Sequence, residues 1–231
     1  MANTRELQSR MKSIKDTMKI TSAMHMIASS NLQKAKKNLE ETEPYFYTLQ
    51  IMIAGILGHM QGGIEHQYFD ERPEIKEADR KKGYIVVTAD KGLAGGYNHN
   101  VIKLAQEFLD KPGHNELFVL GQLGRSYFEK KNVDVDTSFK YTVQKPTMHR
   151  ARVIAEKMLD LFNRKELDEV HIIYTRMENA VEMVAETKQL LPLQSGAFCE
   201  VPADSDASDT KGCIGLYHSE LCDWIYLRIT C

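Results

Sequence analysis

The sequence predicts an α/β protein: a long N-terminal coiled-coil-type helix, then a mostly parallel, Rossmann-like sheet domain with helices on both faces. Three observations lead there. No proline occurs before Pro44 and no glycine before Gly55. Over the same stretch apolar or small residues recur at helical spacing. From residue 83 onward, buried-strand runs alternate with amphipathic helical runs, the order that builds a parallel sheet with right-handed crossovers.

The helix opens with Asn3 and Glu6 at capping-box spacing. Leu7, Met11, Ile14, Met18, Thr21, Met24, Ala28, Leu32, Ala35 and Leu39 then follow at steps of three and four, close to the heptad period of a coiled-coil seam. Arg5, Arg10, Lys12, Lys15, Lys19, Lys34 and Lys37 occupy the other faces. Pro44 is expected to kink or restart the helix, because it removes one backbone donor and clashes with the preceding turn. The stripe resumes through Leu49, Met52, Ile53, Ile56 and Met60 until "QGG" at 61–63 ends it. A helix from Asn3 to Met60 would be ~85 Å long, and such a helix must find a second long helix to bury its seam.

Residues 64–82 are polar and read as a solvated linker. "YIVVTA" (84–89) is a strand; "HNVIKLAQEFL" (99–109) is a helix with Asn98 as its expected N-cap. "ELFVLG" (116–121) is a strand and "QLGRSYFEKK" the helix after it. A helix over 147–164, a strand over 169–176 and a further, antiparallel-type strand within 180–193 complete the domain. Residues 83–193 are expected to fold without the long helix.

The net charge of −2 is unevenly spread: residues 1–40 carry +5, leaving −7 on the rest. A basic arm on an acidic body points to an acidic partner. Nucleic acid is not expected, since residues 5–37 contain no aromatic to stack on bases. Direct membrane insertion is not expected either, because the longest apolar run, "IMIAGIL", falls far short of the ~20 residues a span requires. Without a signal-type N-terminus, an intracellular protein with reduced thiols is anticipated. All four cysteines, Cys199, Cys213, Cys222 and Cys231, lie in the last 33 residues, without CxxC or metal-ligand spacing.

"TADKGLAGGYN" (88–98) joins a strand to a helix, the place where α/β proteins bind phosphates. Neither GxxxxGK[ST] nor GxGxxG is present. Asp90, Gly92, Gly95 and Gly96 therefore read as a structural turn, with no cofactor. His25, His99, His114 and His171 fall on separate elements. No nucleophile–base pair or metal motif is visible, so a small α/β enzyme using the glycine turn is a remote alternative.

"TRELQSRMKSIKDTMKITSAMHMIASSNLQKAKK", "EPY", "DKGLAGGYN" and "QLLPL", in that order and spacing, resemble the gamma subunit of the F-type ATP synthase over about residues 1–195. The resemblance implies a non-catalytic central rotor that couples proton translocation to ATP synthesis. Its helical shaft would turn within a ring of alpha and beta subunits. Its globular domain would contact epsilon and the membrane c-ring, peripheral to the cytoplasmic side of a bacterial plasma membrane. It also makes Lys12, Lys15, Lys19, Ile20, Thr21, Met24 and Met26 the expected contacts with the ring. The implied division is a shaft at 1–60, a polar linker at 61–82, a globular domain at 83–195 and an irregular tail at 196–231. That tail lacks the family's C-terminal helix, so an incomplete rotor is expected, with a stand-alone gamma-like binding module or a non-functional truncated copy as the alternative.

Overall fold

The computed structural model describes residues 4–59, 66–133, 135–136, 140–143, 146–179 and 182–193. Asn3 of the expected capping box, the "QGG" stop and the tail with its cysteines lie outside the described residues. The chain divides into two units, Met1–Glu41 and Thr42–Cys231.

The first unit is the greater part of helix α1, which runs Thr4–His59. Its apolar residues are turned to solvent: Leu7, Met11, Ile14, Met18, Met24 and Leu32 are 49–63% exposed. Only Ala35 and Leu39 are half-buried among the seam positions. Pro44 lies inside α1, which corrects the expectation of a restart there. Glu40, whose carbonyl would have accepted the missing N–H, is exposed together with Pro44. Water can reach that acceptor, and the loss is confined to one bond.

The second unit is built on a four-stranded sheet of order β2-β1-β3-β4. The strands are β1 Lys81–Val87, β2 His114–Leu120, β3 Glu169–Met177 and β4 Met183–Leu191. β1 pairs in parallel with both β2 and β3, and β4 runs antiparallel along β3. Helices α2 (Tyr97–Leu109), α3 (Gln122–Lys130) and α4 (Met148–Asn163) make the crossovers.

Continuous apolar runs in β1 and β2 bury both faces of the sheet, as parallel strands require. On one face Tyr84, Val86, Leu117, Val119 and Ile173 pack with Val101 and Ala105 of α2 and Phe128 of α3. On the other, Ile85, Val87, Phe118, Leu120 and Ile172 pack with Ile154, Met158 and Phe162 of α4. Ile53 of α1 and Tyr68 join this second cluster. Thr147 caps α4, its hydroxyl accepting from the Arg150 N–H at 3.3 Å. Asn98 does not cap α2, contrary to expectation. Gly96 holds that position, and the Asn98 side chain instead accepts from the Ala89 N–H at 2.8 Å.

The segment expected to be a solvated linker is a packed strap. Short 3-10 turns at Gln67–Phe69 and Glu77–Asp79 organise it, and Tyr68, Arg72 and Lys82 are buried. Arg72 donates to Asp168 Oδ1 at 2.6 Å, to the Leu167 carbonyl at 2.8 Å and to the Phe162 carbonyl at 2.8 Å. Its guanidinium lies 4.4 Å from the Phe162 ring centre. Composition cannot reveal this, because the partners are some 90 residues away in sequence. The sheet domain therefore starts before residue 83.

Arg72→Met should destabilise the second unit by ~3 kcal/mol, because a buried carboxylate loses its partner. Arg72→Met combined with Asp168→Asn should recover part of that, since the uncompensated charge is gone. Urea unfolding measures both. A loss below ~1 kcal/mol for the single variant would show that the pair is not structural.

Candidate functional site

Three places were singled out by the sequence or carry unusual chemistry: the glycine turn, a charged cluster at the other end of the sheet, and the exposed face of α1.

The glycine turn lies where β1 and β2 end, the usual ligand crevice of an open α/β sheet. The crevice is filled from within. Thr88 is fully buried; its N–H and hydroxyl both donate to the Leu120 carbonyl, at 2.9 and 2.8 Å. The same hydroxyl accepts from the Gly124 N–H at 3.1 Å. Gly121, at φ +94°, sits directly on Thr88, and a Cβ there would collide with the Thr88 carbonyl. Asp90 closes the remainder. One carboxylate oxygen accepts from the N–H of Gln122, the first residue of α3, at 3.1 Å, and the other from the Val143 N–H at 3.0 Å. A helix N-terminus attracts anions, and here the chain's own carboxylate occupies it. An incoming phosphate would have to displace that charge. Gly95 at φ +55° permits the turn, Gly92 faces open space and Gly96 lies beside Asn100. Leu93, at φ +65°, is 92% exposed at the tip.

At the opposite end of β1 and β3, Glu169 accepts from Arg80 at 2.8 Å and bonds His171 Nε2 at 2.9 Å, with Lys82 at 3.9 Å. The His171 hydrogen bond, followed by the Lys82 charge, holds the Glu169 carboxyl down at about 2 against an opposing burial effect. Burial pushes the Tyr84 hydroxyl up to about 12, with help from Glu169 and Glu77. His171 stacks on Tyr84 at 5.3 Å between ring centres. This is a satisfied network without a nucleophile. Among the described residues no group of three or more His, Cys, Asp or Glu is placed to hold a metal. Sequence reading missed the cluster; alternation along "EVHII" put Glu169 and His171 on one face, but Arg80 and Lys82 belong to another strand's approach.

The expected partner contacts all lie on α1. At about 100° per residue, Lys12, Lys15, Lys19 and Met26 fall within about 60° of one another. Thr21 and Met24 fall on the opposite, seam side, and Ile20 lies between. The single expected surface is thus two surfaces. Lys19 is 3.8 Å from Asp16, an exposed pair of little energetic weight. A shallow apolar groove is lined by Ser13, Ile14, Thr17, Met18 and Thr21 of the seam side together with Ser22, His25 and Met26, so it reaches from the seam to the edge of the lysine face. The Thr17 and Thr21 hydroxyls donate back to the Ser13 and Thr17 carbonyls, at 2.9 Å each. At those two positions the hydroxyl is spent on the helix's own backbone. No described helix is long and apolar enough to cross a membrane.

Comparison with known proteins places this architecture. The ATP synthase family model matches residues 3–215, about twenty residues past the limit expected at 195. The ATP synthase gamma chain of Ruminiclostridium cellulolyticum is 46% identical over 211 residues, 90% of this chain and 71% of that one. The ATP synthase gamma chain of Acetivibrio thermocellus is 45% identical over 194 residues, 84% of this chain and 65% of that one. The chain thus spans between about two thirds and seven tenths of these relatives' lengths. A chain in the central stalk and c-ring structure of the Tetrahymena thermophila mitochondrial ATP synthase superposes with a TM-score of 0.62, at 18% identity, covering 91% of each chain. That likeness shows a shared fold.

Two outcomes follow from the site geometry. Asp90→Ala should lower stability by ~1–2 kcal/mol in thermal or urea melts, because two backbone N–H groups lose their acceptor; an unchanged midpoint would remove Asp90 from the turn. Glu169 has a folded-state value of about 2 against an ordinary 4.5. Its contribution is fully present above pH 4.5 and fades as pH falls toward 2. Glu169→Gln should therefore flatten that part of the acid-denaturation curve, and a variant curve parallel to wild type across the window would refute the assignment.

Proposed function

The chain belongs to the ATP synthase gamma family, whose members are non-catalytic subunits of that complex, and from that premise we propose how its parts serve rotation. The observation that carries the proposal is the continuous α1 whose apolar face is exposed from Leu7 to Leu32. A helix does not keep such a face in water without a partner. Its seam, including Thr21 and Met24, packs against a second helix of the central shaft. The lysine face, Lys12, Lys15 and Lys19 with Met26, turns outward toward acidic surfaces of the alpha and beta subunits. Ile20 sits where the two contacts meet.

The sheet domain stays outside the ring, against epsilon and the membrane c-ring, on the cytoplasmic side of a bacterial plasma membrane. The chain performs no bond chemistry. It converts rotation into a sequence of different contacts on three catalytic beta subunits, so that each passes through states of different nucleotide affinity. The Asp90-filled crevice supports a purely mechanical role, because the position where this fold class takes a nucleotide is already occupied. Met26, beside the lysines, suits contacts that change partner repeatedly, being unbranched and polarizable.

Replacing Lys12, Lys15 and Lys19 together by Glu should weaken assembly with alpha and beta subunits by roughly tenfold at low salt. The deficit should shrink steeply toward ~1 M salt, where the Debye length is ~3 Å. Co-purification with the alpha–beta ring across a salt series measures this. Equal assembly of both proteins at low salt would show that the lysine face does not meet the ring, and failure of the wild-type chain to assemble would remove the rotor role itself.

A further inference from the structure

We propose that the strap over residues 66–80 is the anchor through which α1 passes torque to the sheet domain, with Arg72 as its positioning residue; this rests on the rotor reading above. A rotor needs a stiff path from shaft to body. The covalent path from His59 at the end of α1 to Lys81 at the start of β1 has two short 3-10 turns within 66–80 and no other helix or strand there. Backbone of that kind bends about its own dihedrals and transmits little torque unless its side chains fix it.

The strap is fixed at three levels. Tyr68 shares a core cluster with Ile53 of α1, and its carbonyl accepts from the Leu193 N–H at 2.7 Å, just beyond β4. Arg72 reaches Asp168 and the Leu167 and Phe162 carbonyls. Arg80 donates to Glu169 at 2.8 Å and to the Glu71 and Arg72 carbonyls at 2.9 and 3.1 Å. The strap therefore ties the end of α1, the exit from β4 and the entry to β3 into one body.

Arg72 is the member best suited to resist turning. Apolar packing, such as that of the cluster to which Tyr68 and Ile53 both belong, is non-directional and slides under shear. A guanidinium held by a carboxylate and two carbonyls has fixed directions. Phe162 and Leu167 bracket the C-terminus of α4, where carbonyls lack helical partners and a cation is favoured. Arg72 is 5% exposed and sits at φ +46°, an uncommon conformation for a side-chain-bearing residue. Such a backbone is kept only where the surroundings over-determine it.

The test pulls the full chain between handles at Glu41 and Lys103 in an optical trap, comparing wild type, Arg72→Lys and Arg72→Met. Wild type should open in one step, strap and sheet together. Arg72→Met should show an earlier, separate step at roughly half that force, releasing chain up to residue 80, and Arg72→Lys should fall between. A merely stabilising arginine would lower the force of the single step without adding an early one, and that result overturns the proposal, as does an unchanged trace. Should Arg72→Met not fold, Arg72→Lys decides alone: an early step supports the anchor and a single step refutes it. The measurement needs no partner subunit. A single-step result thus removes the anchor and leaves the rotor assignment intact, whereas a wild-type chain that does not assemble with the ring removes both the rotor and its torque.

Discussion

The pair formed by Arg72 and Asp168 organises the second unit. Both are 5% exposed, so both have left water, a costly transfer unless the partners are close and their remaining lone pairs and protons are used. They are used. Asp168 turns its second oxygen to the Lys81 N–H at 2.9 Å, and its own N–H donates to the Lys81 carbonyl at 2.7 Å. One carboxylate thereby aligns the first residue of β1 with the entry to β3 and holds the arginine that closes α4. Strand register, helix termination and the course of the strap are consequences of the same few atoms.

The sheet's two ends complete a division of labour. At one end Thr88, Gly121 and Asp90 fill the crevice that the topology creates. At the other, Glu169 gathers Arg80, Lys82 and His171 into a satisfied network. Among the described residues, both ends are held by internal hydrogen bonds and ion pairs. Membership in the gamma family agrees with an architecture in which packing, not chemistry, carries the function.

Much of this was legible in the residues. Seam spacing from Leu7 to Leu39 announced α1, and "YIVV", "ELFVL" and "VHIIY" announced three strands whose pairing then follows from right-handed crossovers. The absence of a phosphate motif in "DKGLAGG" anticipated a structural turn, although not that Asp90 would reach Gln122 and Val143. The failures have a common cause. Pro44 was expected to kink or restart α1; it does not restart it, and its neighbouring residue Glu40 is exposed to water. Asn98 was expected to cap α2, but it is the second residue of that helix and its side-chain oxygen accepts from the Ala89 N–H instead. The "DERPEIKEADRKK" segment looked solvated because charges were counted without partners. Arg72's partners are 90 to 96 residues away, and no window of composition spans that distance. The expected contact residues, one list in sequence, spread around α1 in three dimensions.

The inward-turned hydroxyls of Thr17 and Thr21 have a consequence for how the seam of α1 meets another helix. Outward hydroxyls would have to find partners on the facing helix or be buried without them, and each such bond would favour one register. At these two positions the donors are spent on the helix's own carbonyls, so close approach of a second helix strands no donor there and is governed by shape alone.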